Sequence, residues 1–169
     1  MILSHDAILA EVEAGNITID PYDESAVGPA SVDLRLGSEL RVLDSDGGAL
    51  EVNEEVDVRE HSHVVALGGG YELAPGETVL GITLERIRLA ADISARLEGR
   101  SRFARLGLLV HVSAGFVSPG VDNRQVLEMS NLADRRLKLV AGTRICQLIF
   151  ERTEGSARYR GRFADQEEL

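Results

Sequence analysis

Apolar and polar positions alternate along much of this chain, and the period is mostly two. Ala30, Val32, Leu34 and Leu36 alternate with Ser31, Asp33 and Arg35, which predicts a strand with one buried face. Asn16 to Asp20, Leu40 to Leu43, Thr78 to Leu84 and Arg86 to Leu89 read the same way. So do Arg124 to Asn131, Leu137 to Leu139 and Ile145 to Phe150, whereas Leu108 to Val112 is a continuous apolar run of the fully buried kind. Turns separate them, such as Ala74-Pro75-Gly76-Glu77 after Tyr71-Glu72-Leu73, and Asp44 to Gly48.

Helical spacing is confined to two places. Ser4 stands where a cap would, Ile8, Leu9 and Val12 share a face, and Gly15 ends the pattern. A second, short helix is predicted over Ser101 to Leu106. Residues 21 to 29 form a polar loop, and residues 51 to 70, acidic and then Gly-rich, an excursion. Many short strands with Gly and Pro turns predict a mainly β fold, a barrel or a sandwich, with one N-terminal helix and one short internal helix. The 169 residues make one domain, 1–169, with a polar, Arg-rich tail over 152–169 expected to be mobile.

Composition narrows the function. At 44% hydrophobic the chain can bury a core. No run approaches the ~20 apolar residues of a membrane span, and Met1 to Asp6 has no signal-peptide pattern, so a soluble cytoplasmic protein without a membrane partner is expected. The net charge of −10 is uneven: residues 1–60 hold 15 acids against 3 arginines, and the rest is slightly basic. That balance argues against a nucleic-acid partner and permits a local anion site in the second half. The single cysteine, Cys146, lies in an apolar run and reads as a core residue.

The candidate chemistry clusters between Leu97 and Glu128. Gly99-Arg100-Ser101 opens a helical turn with backbone N–H groups, a hydroxyl and a guanidinium, a set suited to phosphate oxygens as well as to an ordinary solvated turn. Arg96, Arg100, Arg102 and Arg105 lie within ten residues. Glu128 is a carboxylate on an otherwise apolar strand, which is costly to bury unless paired or functional; it either performs proton transfer or alternates outward into water. His5, His61, His63 and His111 have no cysteine at ligand spacing, so neither a zinc site nor zinc-dependent deaminase chemistry is expected. There is no Gly-Lys-Ser/Thr phosphate loop, since Lys138 is the only lysine.

These residues also carry a resemblance. Leu97-Glu98-Gly99-Arg100-Ser101, Arg105 to Leu108, His111 to Phe116, Pro119-Gly120 and Leu127-Glu128 are similar to motifs of the dCTP deaminase family, within the trimeric dUTPase superfamily. Pro29 to Leu36, Leu73 to Gly81, Gly142 to Phe150 and Tyr159 to Arg162 extend the similarity over nearly the whole chain. The resemblance implies a distorted, dUTPase-like β-barrel of the β-clip type, assembled as a homotrimer with active sites between subunits. It implies zinc-independent conversion of dCTP to dUTP and ammonia, and it leaves open further hydrolysis to dUMP and diphosphate. Two alternatives stay open: a dUTPase acting only on deoxyuridine triphosphate, and a catalytically weak nucleotide-binding relative.

By the same resemblance Glu128 shuttles protons, and Ser101, Arg105 and the carbonyl of Ala114 hold and polarise the attacking water. Arg100, Ser101 and Arg102 hold phosphates, while Gly115, Phe116, Val117, Gln147 and Tyr159 contact the nucleotide, with the tail around Tyr159 as a lid. Mg²⁺ rides on the triphosphate. The chain departs from the pattern at Arg102, where a serine is usual, and at Ser118, where an aspartate is usual; Asp122 is the carboxylate that could position water in its place.

Overall fold

The computed structural model describes residues 1–45, 48–110, 113–164 and 166–169. Helix α1 (His5–Glu13) is followed by β1 (Ile17–Asp20), β2 (Val32–Leu43), β3 (Ser62–Ala66), β4 (Tyr71–Leu73), β5 (Thr78–Leu89) and β6 (Ile93–Gly99). Then come α2 (Ser101–Ala104), β7 (Leu108–Val110), β8 (Phe116–Val117), β9 (Asp122–Asn131), β10 (Leu137–Leu139) and β11 (Arg144–Arg152). The fold is mainly β, with the two expected helices. The end of the apolar run at His111 and Val112, and the middle of the Asp44–Gly48 turn, lie outside the described residues.

Nine strands form one curled sheet in the order β7-β9-β5-β2-β11-β6-β8, with β1 also on β5 and β3 also on β2. The curl comes from two long strands that the alternation breaks in two. Leu36 to Leu40 interrupts the register between β2 and β5, yet β2 runs through as one strand of 12 residues. In β5 the register with β9 shifts between Ile82 and Arg86, joining what reads as two strands. Beyond that shift β1 replaces β2 along the same edge, Ile17 pairing with Leu89 and Asp20 with Arg86. A bulge bends its strand and increases local twist, and these two let the sheet wrap around its own apolar face. The bend in β5 is internally satisfied: buried Thr83 donates Oγ1 to the carbonyl of Glu85 at 2.8 Å and accepts from the Gln125 amide at 3.0 Å.

The core inside the curl is the alternating set: Val32, Leu34 and Leu36 of β2, Ile93, Ala95 and Leu97 of β6, Leu127 and Met129 of β9, and Leu148 and Phe150 of β11. Gly81 lets the core close in here: a Cβ would lie 2.6 Å from the Met129 methyl and 2.7 Å from Leu36 Cδ1, so both side chains would have to shift. Helix α1 contributes the buried Ile8, and Ser4 precedes it in extended backbone without a side-chain cap. Three strands were not predicted: β6 between two motifs, the two-residue β8 that pairs with it, and β3 in the expected excursion, where it pairs with the edge of β2.

The described residues of the tail after Arg152 pack back on the sheet. Ala157 donates its amide to the Ala91 carbonyl at 2.8 Å, Tyr159 to Pro119 at 3.0 Å, and Arg124 to Gln166 at 2.9 Å. Asn123 Nδ2 donates to the carbonyl of Phe163 and Arg41 Nη2 to that of Leu169, each at 2.7 Å.

Candidate active site

The first group of residues sits where β6 gives way to α2. Arg100 keeps extended backbone and turns the chain into the helix. The helix is held by Phe103, packed on the core, and ends before Gly107, whose φ of +89° suits glycine. Ser101, Arg102 and Arg105 are left exposed on this single turn. Neither the Ser101 hydroxyl nor the Arg105 guanidinium makes a hydrogen bond or ion pair with any described residue.

Arg100 is different, because it turns inward. Its Nη2 lies 2.9 Å from Asp33 Oδ2 and its Nη1 donates to the Arg144 carbonyl at 2.7 Å. Burial pushes the Asp33 carboxyl above its ordinary value, against the opposing pull of Arg100, Arg144 and Arg102. Arg144 in turn reaches Asp23 at 2.7 Å. Gln147 braces the same corner: its Oε1 accepts from Ser31 Oγ at 2.9 Å and its Nε2 donates to the Gly99 carbonyl at 3.3 Å. Arg100 and Gln147 therefore shape the platform that presents Ser101, Arg102 and Arg105.

The second group lies on β9, beside β7, the strand that follows α2 and pairs Val110 with Met129. Leu127 and Met129 are fully buried, so the alternation of β9 turns Glu128 to the opposite, half-buried face. Ser113 Oγ lies 3.4 Å from Glu128 Oε2 as a donor. Ala114 is exposed beside Ser113, and the carbonyl of Gly115 accepts from the Leu97 amide at 2.7 Å, fixing the loop to β6. Val117 is buried opposite Ala95, while Phe116 is 63% exposed, a large apolar surface next to the loop. Glu128 faces Leu80, which faces Arg41, so the three form one row across β9, β5 and β2. Ser113, Arg41 and Asp33 were not among the expected site residues; the odd polar position in an alternating strand was the available signal for Asp33.

Two expected members stand apart from Glu128. Asp122 begins β9, six residues away and so roughly 20 Å along the strand, where its Oδ1 accepts from Arg86 Nε at 2.8 Å. Tyr159 packs its ring on the core beside the Pro119–Gly120 turn. Gly120, at φ +70°, lies so near the tail that a Cβ there would be 3.0 Å from Arg158 Cα. Among the described residues no three His, Cys, Asp or Glu side chains converge as a metal-binding group. No helix is long and apolar enough to cross a membrane.

Comparison with known proteins bears on this arrangement. The dCTP deaminase-like family model matches residues 2–153. The protein called dCTP deaminase, dUMP-forming, of Parafrankia sp. is 41% identical over 175 residues, covering 98% of this chain and 87% of its own. The protein of the same description from Streptomyces avermitilis is also 41% identical, over 98% of this chain and 91% of its own. That of Methanobrevibacter smithii is 40% identical over 89% of this chain and 79% of its own. Among solved structures, the 2′-deoxycytidine 5′-triphosphate deaminase of Agrobacterium tumefaciens superposes with a TM-score of 0.70 at 27% identity. It matches 88% of this chain and 47% of that longer one. The expectation of a dCTP deaminase-type hydrolase on a dUTPase-like β fold agrees with these relatives.

Proposed function

Since the chain belongs to the dCTP deaminase-like family, we propose that it deaminates dCTP and carries the product on to dUMP. In balance, dCTP and one water give dUTP and ammonia, and dUTP and a second water give dUMP and diphosphate. The three curated relatives named above are described as dUMP-forming, which supports the second step over deamination alone.

The observation that carries the reading is Glu128. It is a carboxylate set between two buried apolar residues on a central strand, aimed to the half-buried face, with a hydroxyl donor beside it. Such a group takes a proton from the water that attacks C4 of cytosine and delivers one to the departing amine. The tetrahedral centre that forms is stabilised by fixed polar groups: the Ala114 carbonyl holds the water, and Ser101 and Arg105 supply a hydroxyl and a positive charge.

Ser101 and Arg105 make no described contact with Glu128 in one chain, and their polar groups are unengaged among the described residues. We take this as support for a homotrimer in which α2 of one subunit completes the Glu128 site of the next. Arg102 then joins Ser101 on the phosphates, Gly115, Phe116 and Val117 line the nucleotide's path, and the tail carrying Tyr159 acts as a lid over a single cytoplasmic domain. Mg²⁺ enters on the substrate's triphosphate. With Asp122 paired to Arg86, water positioning for the second step falls to the groups around Glu128.

Incubation with dCTP and with dUTP, each with Mg²⁺, tests the reading by chromatography and ammonia detection. dUMP and ammonia from dCTP are expected. Release of dUMP from dUTP alone, with dCTP intact, would replace the reading by a dUTPase; turnover of neither would overturn it.

A further inference from the structure

The platform beneath α2 has a weak point at Arg144. The ladder between β11 and β6 begins at Cys146 opposite Gly99, so Arg144 lies past its end, beside the turn from β6 into α2. On the other side the register with β2 shifts between Arg144 and Cys146. A bulge breaks the ladder locally and re-aims the groups it carries. The Arg35 amide, opposite Arg144, donates to Glu85 and not to the Arg144 carbonyl. That carbonyl accepts from Arg100 Nη1 instead, at 2.7 Å.

The Arg144 side chain supplies the fixing that the ladder does not. Its Nη2 donates to Asp23 Oδ2 at 2.7 Å and to Ser25 Oγ at 2.6 Å, and its Nη1 to the Ser25 carbonyl at 3.2 Å. The acceptors are assembled in advance. Asp23 caps the short 3-10 turn Glu24–Ala26, its Oδ1 accepting from the Ser25 amide at 3.0 Å and from the Ser25 hydroxyl at 2.7 Å. The Ser25 hydroxyl and then Arg144 hold the Asp23 carboxyl below its ordinary value, which keeps it ionised. Three oxygens on one planar guanidinium leave it a single orientation.

Arg144 keeps 34% side-chain exposure and Asp23 38%, so the clamp adds little to overall stability. Its effect is on aim. Both terminal nitrogens are engaged by the turn. The recess that Asp23, Asp33, Arg35, Glu85 and Arg144 share measures about 10 Å³, room for one water and too small for a phosphate group. Arg144 therefore acts through its carbonyl. We propose that Arg144, oriented by Asp23 and Ser25, is a positioning residue for the nucleotide: through Arg100 it sets the α2 turn from which Ser101 and Arg105 project. The inference deepens the function proposed above and rests on it for the identity of the nucleotide.

Two measurements test it. The first is amide hydrogen exchange at Ala104 and Arg105, which donate to the carbonyls of Arg100 and Ser101 and need no nucleotide to report. The second is dCTP affinity by calorimetry with Mg²⁺ in a Glu128→Gln background, beside KM and kcat with Glu128 intact. Asp23→Asn and, separately, Arg144→Lys should speed exchange at both amides several-fold and leave Leu127 and Met129 unchanged. Each should weaken dCTP binding several-fold, with KM rising more than kcat falls. Asp23→Glu, which keeps a carboxylate, should lose less than Asp23→Asn. Unchanged exchange at Ala104 and Arg105 in both variants would overturn the inference, as would an equal rise at Leu127 and Met129. Loosened α2 amides with unaltered dCTP affinity would overturn it too. A wild type that neither binds nor converts dCTP would instead remove the proposed function, and the exchange data would still decide whether Arg144 positions α2.

Discussion

Arg100 and Asp33 meet at 2.9 Å although 67 positions apart, joining the residue before α2 to the alternating strand β2. The pair is mostly buried, at 25% and 18% side-chain exposure, and the same guanidinium holds the Arg144 carbonyl. Arg100 therefore fixes the platform from which Ser101 and Arg105 project.

Arg100→Gln should raise the Asp33 pKa further, because it removes the strongest attraction opposing burial. With its pKa above 3.8, Asp33 favours folding most as the neutral acid. That contribution is complete below 3.8 and is lost as pH rises through the raised value. The variant should accordingly lose more stability than the wild type across that window. At neutral pH the lost charged hydrogen bonds should cost about 1–3 kcal/mol. Titration of the Asp33 carboxyl carbon by NMR, with urea unfolding at several pH values, checks both; an unmoved midpoint would refute the assignment.

Neighbouring positions on β9 should behave in opposite ways. Glu128→Gln keeps shape and the hydrogen bond from Ser113, so stability should stay within about 0.5 kcal/mol while ammonia release from dCTP falls by roughly 10²–10⁴-fold. Leu127→Ala, at a fully buried core site, should cost about 2–5 kcal/mol. Thermal unfolding beside turnover separates the two; wild-type ammonia release by Glu128→Gln would place the base elsewhere.

How much of this was written in the pattern depends on the kind of contact. Val32, Leu34 and Leu36 were legible because burial repeats with the strand period. The same period runs through Ile93, Ala95 and Leu97, with Ser94, Arg96 and Glu98 between them, so β6 was legible in the sequence by the same rule. Strand β3 carried no such sign. Ser62, His63, Val64 and Ala66 all keep solvent contact, and edge pairing with β2, not burial, makes them a strand. The joining of β2 and of β5 across their bulges was hidden because a bulge resets the alternation. At the site, Glu128, Ser101 and Arg105 stood out by type and motif. The inward turn of Arg100 and the occupation of Asp122 by Arg86 did not, since partner choice follows the folded topology.

Glu85 anchors a second long-range pair. It is 3% exposed, its Oε1 accepts from Arg35 Nε at 2.6 Å, and its Oε2 accepts from the Arg35 amide at 2.8 Å. Glu85→Ala leaves a half-buried guanidinium and an amide without their acceptor and should cost about 3–5 kcal/mol. Glu85→Gln, which keeps an acceptor, should cost less. Equal losses in urea unfolding would show that packing volume and not the pair sets the penalty.

The last prediction concerns alkaline pH. Tyr71 donates its hydroxyl to Glu77 Oε1, and Glu77 Oε2 accepts from the Ala74 amide at 2.6 Å, closing the turn between β4 and β5. Burial, then the bond to Glu77 and its charge, push the Tyr71 phenol up to about 12 from 10.0. The folded state thus prefers the protonated phenol. The stability this confers is whole below pH 10 and is lost as pH rises from 10 toward 12. Tyr71→Phe should lose about 0.5–1.5 kcal/mol at neutral pH, from the missing hydrogen bond, and should fall less steeply than the wild type above pH 10. Urea unfolding between pH 8 and 12, with phenolate absorbance followed in parallel, measures both. Parallel declines in the two proteins would mean that another group governs the alkaline limb.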